Sequence, residues 1–271
     1  MKAFIPLILA FLLLFPVYSS AGDPSAVQEP PTDHGFSSAR ETADHLEEQY
    51  GITIKIGPEC SDVTTAGFRI GNRPSGRTPF LEMLSGYNYG HEISLIKDTL
   101  DKYPPGFFTV FASPESPSGL RLLLADQILY EDESMAGCTT ISDGYCNIFL
   151  GVGAFNHLNI HHEIWHAMEY RIAAEYPAAF DDWYTLNPED FLYSEDNYNL
   201  DQWAQAAPWD AFFVRGYSTI DEYEDRATVF EAYMSYDREW WDEHPYIRYK
   251  LDRMMEAAEP VLAKIYMPEG R

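Results

Sequence analysis

The chain has 271 residues and carries 43 acidic against 18 basic side chains, a formal net charge of −25 at pH 7. That length suits one domain or two closely packed lobes with ample core, and so negative a surface repels phosphate backbones and anionic lipid, which excludes nucleic acid and membrane surfaces as partners. The acidic residues are interleaved with aromatics, which make up 15% of the chain, so this is not the aromatic-poor composition of a disordered acidic protein.

The N-terminus reads as a processing signal. Met1-Lys2 supplies a short positive start, Ala3 to Val17 an apolar run, and Tyr18 to Ala21 the small residues that precede signal-peptidase cleavage. Residues 1–21 are therefore expected to be a signal peptide, which predicts a secreted protein, extracellular or periplasmic. Pro6 and Pro16 break the apolar run, which falls short of a membrane span. No second such run follows, so no stable membrane insertion is expected after cleavage. Residues 22–36, rich in Pro and polar side chains, read as a flexible lead-in.

From there the elements follow in order. Ser38 to Glu41 fits a capping box, and Ala43, Leu46 and Tyr50 predict a helix over 38–50 that Gly51 stops. The alternating, β-branched Ile52–Ile56 predicts a strand. Residues 57–90, dense in Gly, Pro, Ser and Asn, predict a long ordered loop, and Ile93, Ile96 and Leu100 a helix over 91–103 that Pro104-Pro105 ends. Phe107–Phe111, Leu120–Tyr130 and Asn147–Gly151 read as strands, the last after a loop that Cys138 and Cys146 could close as a disulfide. Sequence leaves the other pairings with Cys60 open. A free Cys60 is expected to be a buried, inert thiol. Ile148–Gly151 suits either an edge strand to which an extended peptide adds itself or an ordinary paired core strand.

The chain then enters its motif, His162-Glu163-Ile164-Trp165-His166. Leu158, Trp165, Met168 and Ile172 recur at helical steps, and no Pro or Gly interrupts before Pro177. On a helix, His162 and His166 lie one turn apart on one face, where two imidazoles grip one metal ion. Glu163 is then placed to act as general base on a water beside it. His157 and His161 fall outside this pair and are read as structural. The order of elements predicts an α+β fold: a small mixed sheet with the motif helix, over 37–175, followed by a mainly helical lobe over 176–271. In that lobe, the aromatic-rich stretch 178–217 reads as irregular packing rather than a sugar platform, and two helices over 219–240 and 245–265 finish the chain.

A catalytic zinc takes three protein ligands, so one more is required. Glu169 and Ile172 stand where metzincins place Gly and His, excluding that pattern. Glu189, near the thermolysin-like spacing, lies in an irregular stretch after a proline. Glu224 and Glu231 share a helical face, but they stand about 10 Å apart along a helix rising about 1.5 Å per residue, so they compete rather than join. Asp225 could orient a ligand histidine or lie on the surface.

His162-Glu163-x-x-His166, followed by Tyr217 and then Glu224-Asp225-x-Ala227, resembles the zinc-binding metallopeptidases of bacterial secreted proteins and lipoproteins. These are gluzincins, related in site layout to anthrax lethal factor and the Pro-Pro endopeptidases. The segment from Trp183 to Tyr193 resembles that group too, so the similarity covers residues 92–240. The resemblance implies a zincin-like fold, Glu224 as third ligand of a Zn2+, Tyr217 assisting the reaction, and a peptide or protein as substrate. Thr228 departs from it, standing where the group often has a second glutamate. The expected function is thus a secreted zinc metallopeptidase with Glu163 as general base. The alternative is a catalytically silent zincin-fold protein that binds glycan or protein. No Gly-x-Ser-x-Gly elbow, phosphate-binding Gly-rich loop, dinucleotide fingerprint or Asp-x-Asp-x-Asp-Gly calcium loop occurs.

Overall fold

The computed structural model describes residues 34–63, 69–71, 89–130, 133–194 and 211–266. The expected signal peptide, nearly all of the lead-in and Tyr198, Trp203 and Trp209 lie outside these residues. The chain divides into two units, one ending at Asn156 and one starting at His157. The motif helix therefore opens the second unit, whereas Pro177 had suggested a division after it. No helix among the described residues is long and apolar enough to cross a membrane.

The first unit contains an α/β layer. Helix α1 (His34–Tyr50) begins four residues earlier than its capping signal suggests, and Ser38 lies inside it, its carbonyl accepting the Thr42 hydroxyl. Gly51, at φ 66°, ends it. Strand β1 (Thr53–Ile56) follows, then a tight turn over Gly57–Cys60 and a short strand β2 (Arg69–Gly71). Helix α2 (Gly90–Leu100) buries Ile93, Ile96 and Leu100 as its spacing required.

Phe107–Phe111 is a 3-10 turn, not a strand. Phe107, Phe108, Val110 and Phe111 are buried while Thr109 is exposed. That spacing is helical rather than alternating, and the left-handed Gly106 (φ 80°) starts the turn.

The predicted strand over 120–130 is two strands that serve two sheets, β3 (Leu120–Ala125) and β4 (Gln127–Tyr130), separated at Asp126. The four-stranded sheet has order β1-β3-β7-β6, with β6 spanning Gly137–Ser142 and β7 Tyr145–Gly151. β1, β3 and β7 run parallel and β6 antiparallel to β7, so the sheet is mixed. Every residue of β3 is buried, as a central strand covered on both faces requires. Its one charge, Arg121, donates to Oδ1 of its ladder partner Asn147 at 2.6 Å and stacks 4.3 Å from the Tyr145 ring. A second sheet, antiparallel, has the order β2-β4-β5 with β5 spanning Glu133–Met135, and of its strands only β4 lies within a predicted one.

Residues 138–146 are a hairpin, not a disulfide loop. Asp143 and Gly144 both have positive φ (53° and 77°), the two-residue turn that an Asp-Gly pair favours. Cys138 sits opposite Phe149, three residues from Cys146 on the same strand. Because side chains alternate, the two sulfurs lie on opposite faces of the sheet and cannot pair. All three cysteines are free and buried. Ile148–Gly151, in turn, is paired on both sides by β3 and β6, so it is a core strand and not an edge open to a peptide.

The second unit is built of helices: α3 (His157–Glu175), α4 (Glu222–Ser235), α5 (Arg238–Glu243) and α6 (Pro245–Tyr266). The predicted helix over 219–240 breaks after Ser235, where the Asp237 carboxylate accepts the Trp240 N–H and starts a new one. Among the described residues between α3 and α4 the chain forms short turns, with Trp183 and Phe213 buried while Tyr184 is exposed. α3 packs on α4, and both on α6. The observed class is α+β, with a mixed sheet in one unit and helices in the other.

Candidate metal centre

Helix α3 is buried on nearly every side from Asn159 to Glu169, beyond the stripe that periodicity marked. What its polar residues meet explains how it tolerates this. α4 presents a row of carboxylates to the histidine face, starting where the Asp221 side chain accepts the N–H groups of Tyr223 and Glu224. That cap sets the first turn so that Glu224 points inward, 2% exposed.

His162, His166 and Glu224 each offer a ligand atom within 4.8 Å of the other two. The two imidazole Nε2 atoms are 2.9 Å apart. Glu224 Oε2 lies 2.8 Å from His162 Nε2, and Oε1 3.7 Å from His166 Nε2. Ligands on a tetrahedral zinc at about 2.05 Å stand about 3.3 Å apart, and these separations bracket that value. Glu224 Oε2 is also buried without a hydrogen-bond partner despite its closeness to His162. The carboxylate and the two imidazole nitrogens are thus gathered at one place. The donor set of two imidazoles and one carboxylate is that of a zinc centre with an open position.

The other nitrogen of each ring faces a second carboxylate. His162 Nδ1 lies 2.8 Å from Glu231 Oε1, which also accepts Arg215 at 2.7 Å. His166 Nδ1 lies 3.5 Å from Glu169 Oε2, and Glu169 in turn binds Arg226. Arg226 is buried against the rings of Phe180, Tyr223 and Trp183, at 4.5, 4.9 and 5.3 Å. So many carboxylates demand positive charge at the centre. Burial alone would push His162 down, yet Glu224 and Glu231 bring it up to about 9. His166 rises likewise against burial through Glu224 and Glu169. Burial would raise Glu224, but the two histidines hold it well below the usual carboxylate range. A divalent cation fits that demand.

Glu163 is buried, and its charge acts on both His166 and Tyr217. Tyr217 lies on the turn Gly216–Thr219, its ring 5.8 Å from that of His162. Burial, with Glu224 and Glu163, pushes its hydroxyl well above the ordinary value, so it keeps its proton. Thr228 fastens this turn to α4 through the Ser218 hydroxyl at 2.6 Å. Asp225 does not orient a histidine. Fully buried, it accepts Lys250, Tyr193 and Trp183 at 2.7, 2.7 and 3.0 Å. Glu189 is exposed and outside the group.

The competition between Glu224 and Glu231 thus resolves into two positions around one imidazole, one carboxylate on each nitrogen. The sequence reading missed Glu169, Arg215 and Arg226. Only the three- and seven-residue spacings of His166 to Glu169 and Glu224 to Glu231 hinted at helical faces that converge.

The fold and site define an α+β protein with a buried His-His-Glu group suited to one metal ion. No protein-family model and no curated protein sequence matches the chain. A solved structure described as a "putative zinc-binding metallo-peptidase" from Bacteroides caccae is similar at 15% identity, over 87% of this chain and 95% of that one, with a TM-score of 0.45. A likeness at that level assigns neither family nor activity.

Proposed function

We propose that the protein is a zinc-dependent metallopeptidase in which His162, His166 and Glu224 hold the metal. The convergence of their three ligand atoms within 4.8 Å, beside a buried Glu163, carries this reading. When bound, zinc supplies Lewis acidity that makes a water acidic near neutral pH. Glu163 would accept a proton from the attacking water as that water's oxygen bonds to the peptide carbonyl carbon. The Tyr217 hydroxyl donates to the carbonyl oxygen as negative charge develops there, the kind of contact worth about 3–4 kcal/mol. Glu163 would then deliver its proton to the leaving nitrogen as the C–N bond breaks, and the second water proton passes from the new carboxyl group to the amine, leaving a carboxylate and an ammonium. Retention of Glu163 supports catalysis over a silent binding module, since metal binding needs the histidines but not that carboxylate. The signal peptide expected over residues 1–21 would direct export, and N-terminal sequencing of the mature protein is expected to begin near Gly22.

The test is cleavage of a peptide library by purified protein, with new termini read by mass spectrometry. Glu163→Ala should retain about one zinc and lose about 10²- to 10⁴-fold in rate, the span of a general base. Cleavage that persists in this variant would refute the mechanism, and zinc uptake without cleavage by the wild type would favour the binding module.

A further inference from the structure

We propose that Glu231, held by Arg215, is a positioning residue that fixes the tautomer and ring direction of His162, and that Arg215 couples this ring to Tyr217. The inference rests on His162 as a metal ligand, but it concerns the other side of the ring.

Glu231 Oε1 lies 2.8 Å from Nδ1 of His162 and 2.7 Å from the Arg215 guanidinium. A carboxylate only accepts, so Nδ1–H donates to Glu231, and a metal held between Nε2 and Glu224 would take the lone pair of the ring so protonated. Glu231 is 3% exposed and so cannot turn to solvent. Arg215 compensates its charge and stands 5.4 Å from the centre of the Tyr217 ring, which is itself 5.8 Å from that of His162. Arginine, glutamate, histidine and tyrosine therefore close a ring of contacts. A shift of Arg215 reaches the ligand through Glu231 and the tyrosine directly. The Arg215 backbone N–H also donates to the Ser218 hydroxyl at 3.3 Å, next to Tyr217, so the same residue anchors the turn.

The experiment measures zinc affinity by competition with a chromogenic chelator, and the visible absorption of the cobalt(II)-loaded protein, for wild type, Glu231→Gln, Glu231→Ala and Arg215→Ala. Loss of an outer partner of a ligand histidine weakens metal binding about 10- to 100-fold. We expect a loss in that range for both Glu231 variants, a smaller one for Arg215→Ala, and a changed cobalt absorption in all three. Arg215 is partly exposed, so its variant keeps the test open should the buried substitutions fail to fold. Zinc affinity and cobalt absorption unchanged in a folded Glu231 variant, or in Arg215→Ala if neither Glu231 variant folds, would overturn the positioning role while leaving the metal centre intact. A wild type that takes up no zinc would overturn the metal centre itself.

Discussion

The two units bury different chemistry. In the sheet unit the core is Leu123, Ala125, Ile128, Met135, Phe149 and their neighbours, and the buried Arg121 is held by its ladder partner Asn147. The helical unit buries His162, Glu169, Glu224, Asp225, Arg226, Glu231 and Lys250, with His166 nearly so, within and beside three packed helices. Apolar burial stabilises at about 25 cal/mol per Å² with no geometric demand. Buried ions carry a desolvation cost that only accurate pairing offsets, and their replacement by apolar groups is often neutral or stabilising. A unit that accepts this cost around two histidines is organised for a centre rather than for stability alone.

The comparison breaks most visibly at Lys250. Its ammonium lies 2.7 Å from Asp225, both fully buried, and 3.9 Å from the centre of the Phe213 ring. Lys250→Met leaves the Asp225 charge with only the neutral donors Trp183 and Tyr193, and urea unfolding should report a loss of about 3–5 kcal/mol. Adding Asp225→Asn to it should recover part of that loss; a double variant no more stable than the single would contradict the pairing argument.

In the sheet unit, Leu123→Ala opens a cavity in the apolar cluster and should cost about 2–5 kcal/mol. Zinc affinity should stay unchanged, which sharpens the contrast with substitutions at Glu231. Gly144→Ala acts on backbone alone. There φ is 77°, and a Cβ would make only ordinary contacts, so the cost is the left-handed conformation, about 1–2 kcal/mol, seen as a shift in Tm of a few degrees.

The smallest effect concerns the thiols. Burial, then Glu59, pushes Cys60 up to about 12. It stays protonated below that pH, and its Sγ meets the carbonyl oxygens of Lys55 and Leu124. Cys138 and Cys146 are buried as well. A thiol-reactive chromogen at pH 8 should label none of the three in the native protein and all three after denaturation. Labelling of fewer than three after denaturation without reductant would reveal a disulfide and contradict the hairpin register.

How far the sequence could be read depended on the range of the signal. The Ile93, Ile96 and Leu100 stripe and the stop at Gly51 are local and held. Phe107–Phe111 misled because a short apolar run has no period of its own, and Gly106 decided for a turn. The Asp143-Gly144 pair was a local hairpin signal overlooked because the flanking cysteines suggested a closed loop. The shared role of β3 and β7 at the sheet centre could not be read, since Leu120–Ala125 is equally apolar at an edge or in the middle.

By itself the sequence determined a helix through residues 157–174 and the convergence of His162 and His166 on one face of it, because a four-residue step is settled by helix geometry alone. Only the tertiary structure decided which glutamate meets which nitrogen. Glu224 and Glu231 share a face of α4, and the packing of that helix on α3 sets Glu224 against Nε2 and Glu231 against Nδ1 of the same imidazole. The same packing turned Asp225 toward Lys250 instead of the histidines. Those assignments depend on the distance and rotation between two helices some sixty residues apart in the chain, and no local spacing encodes them.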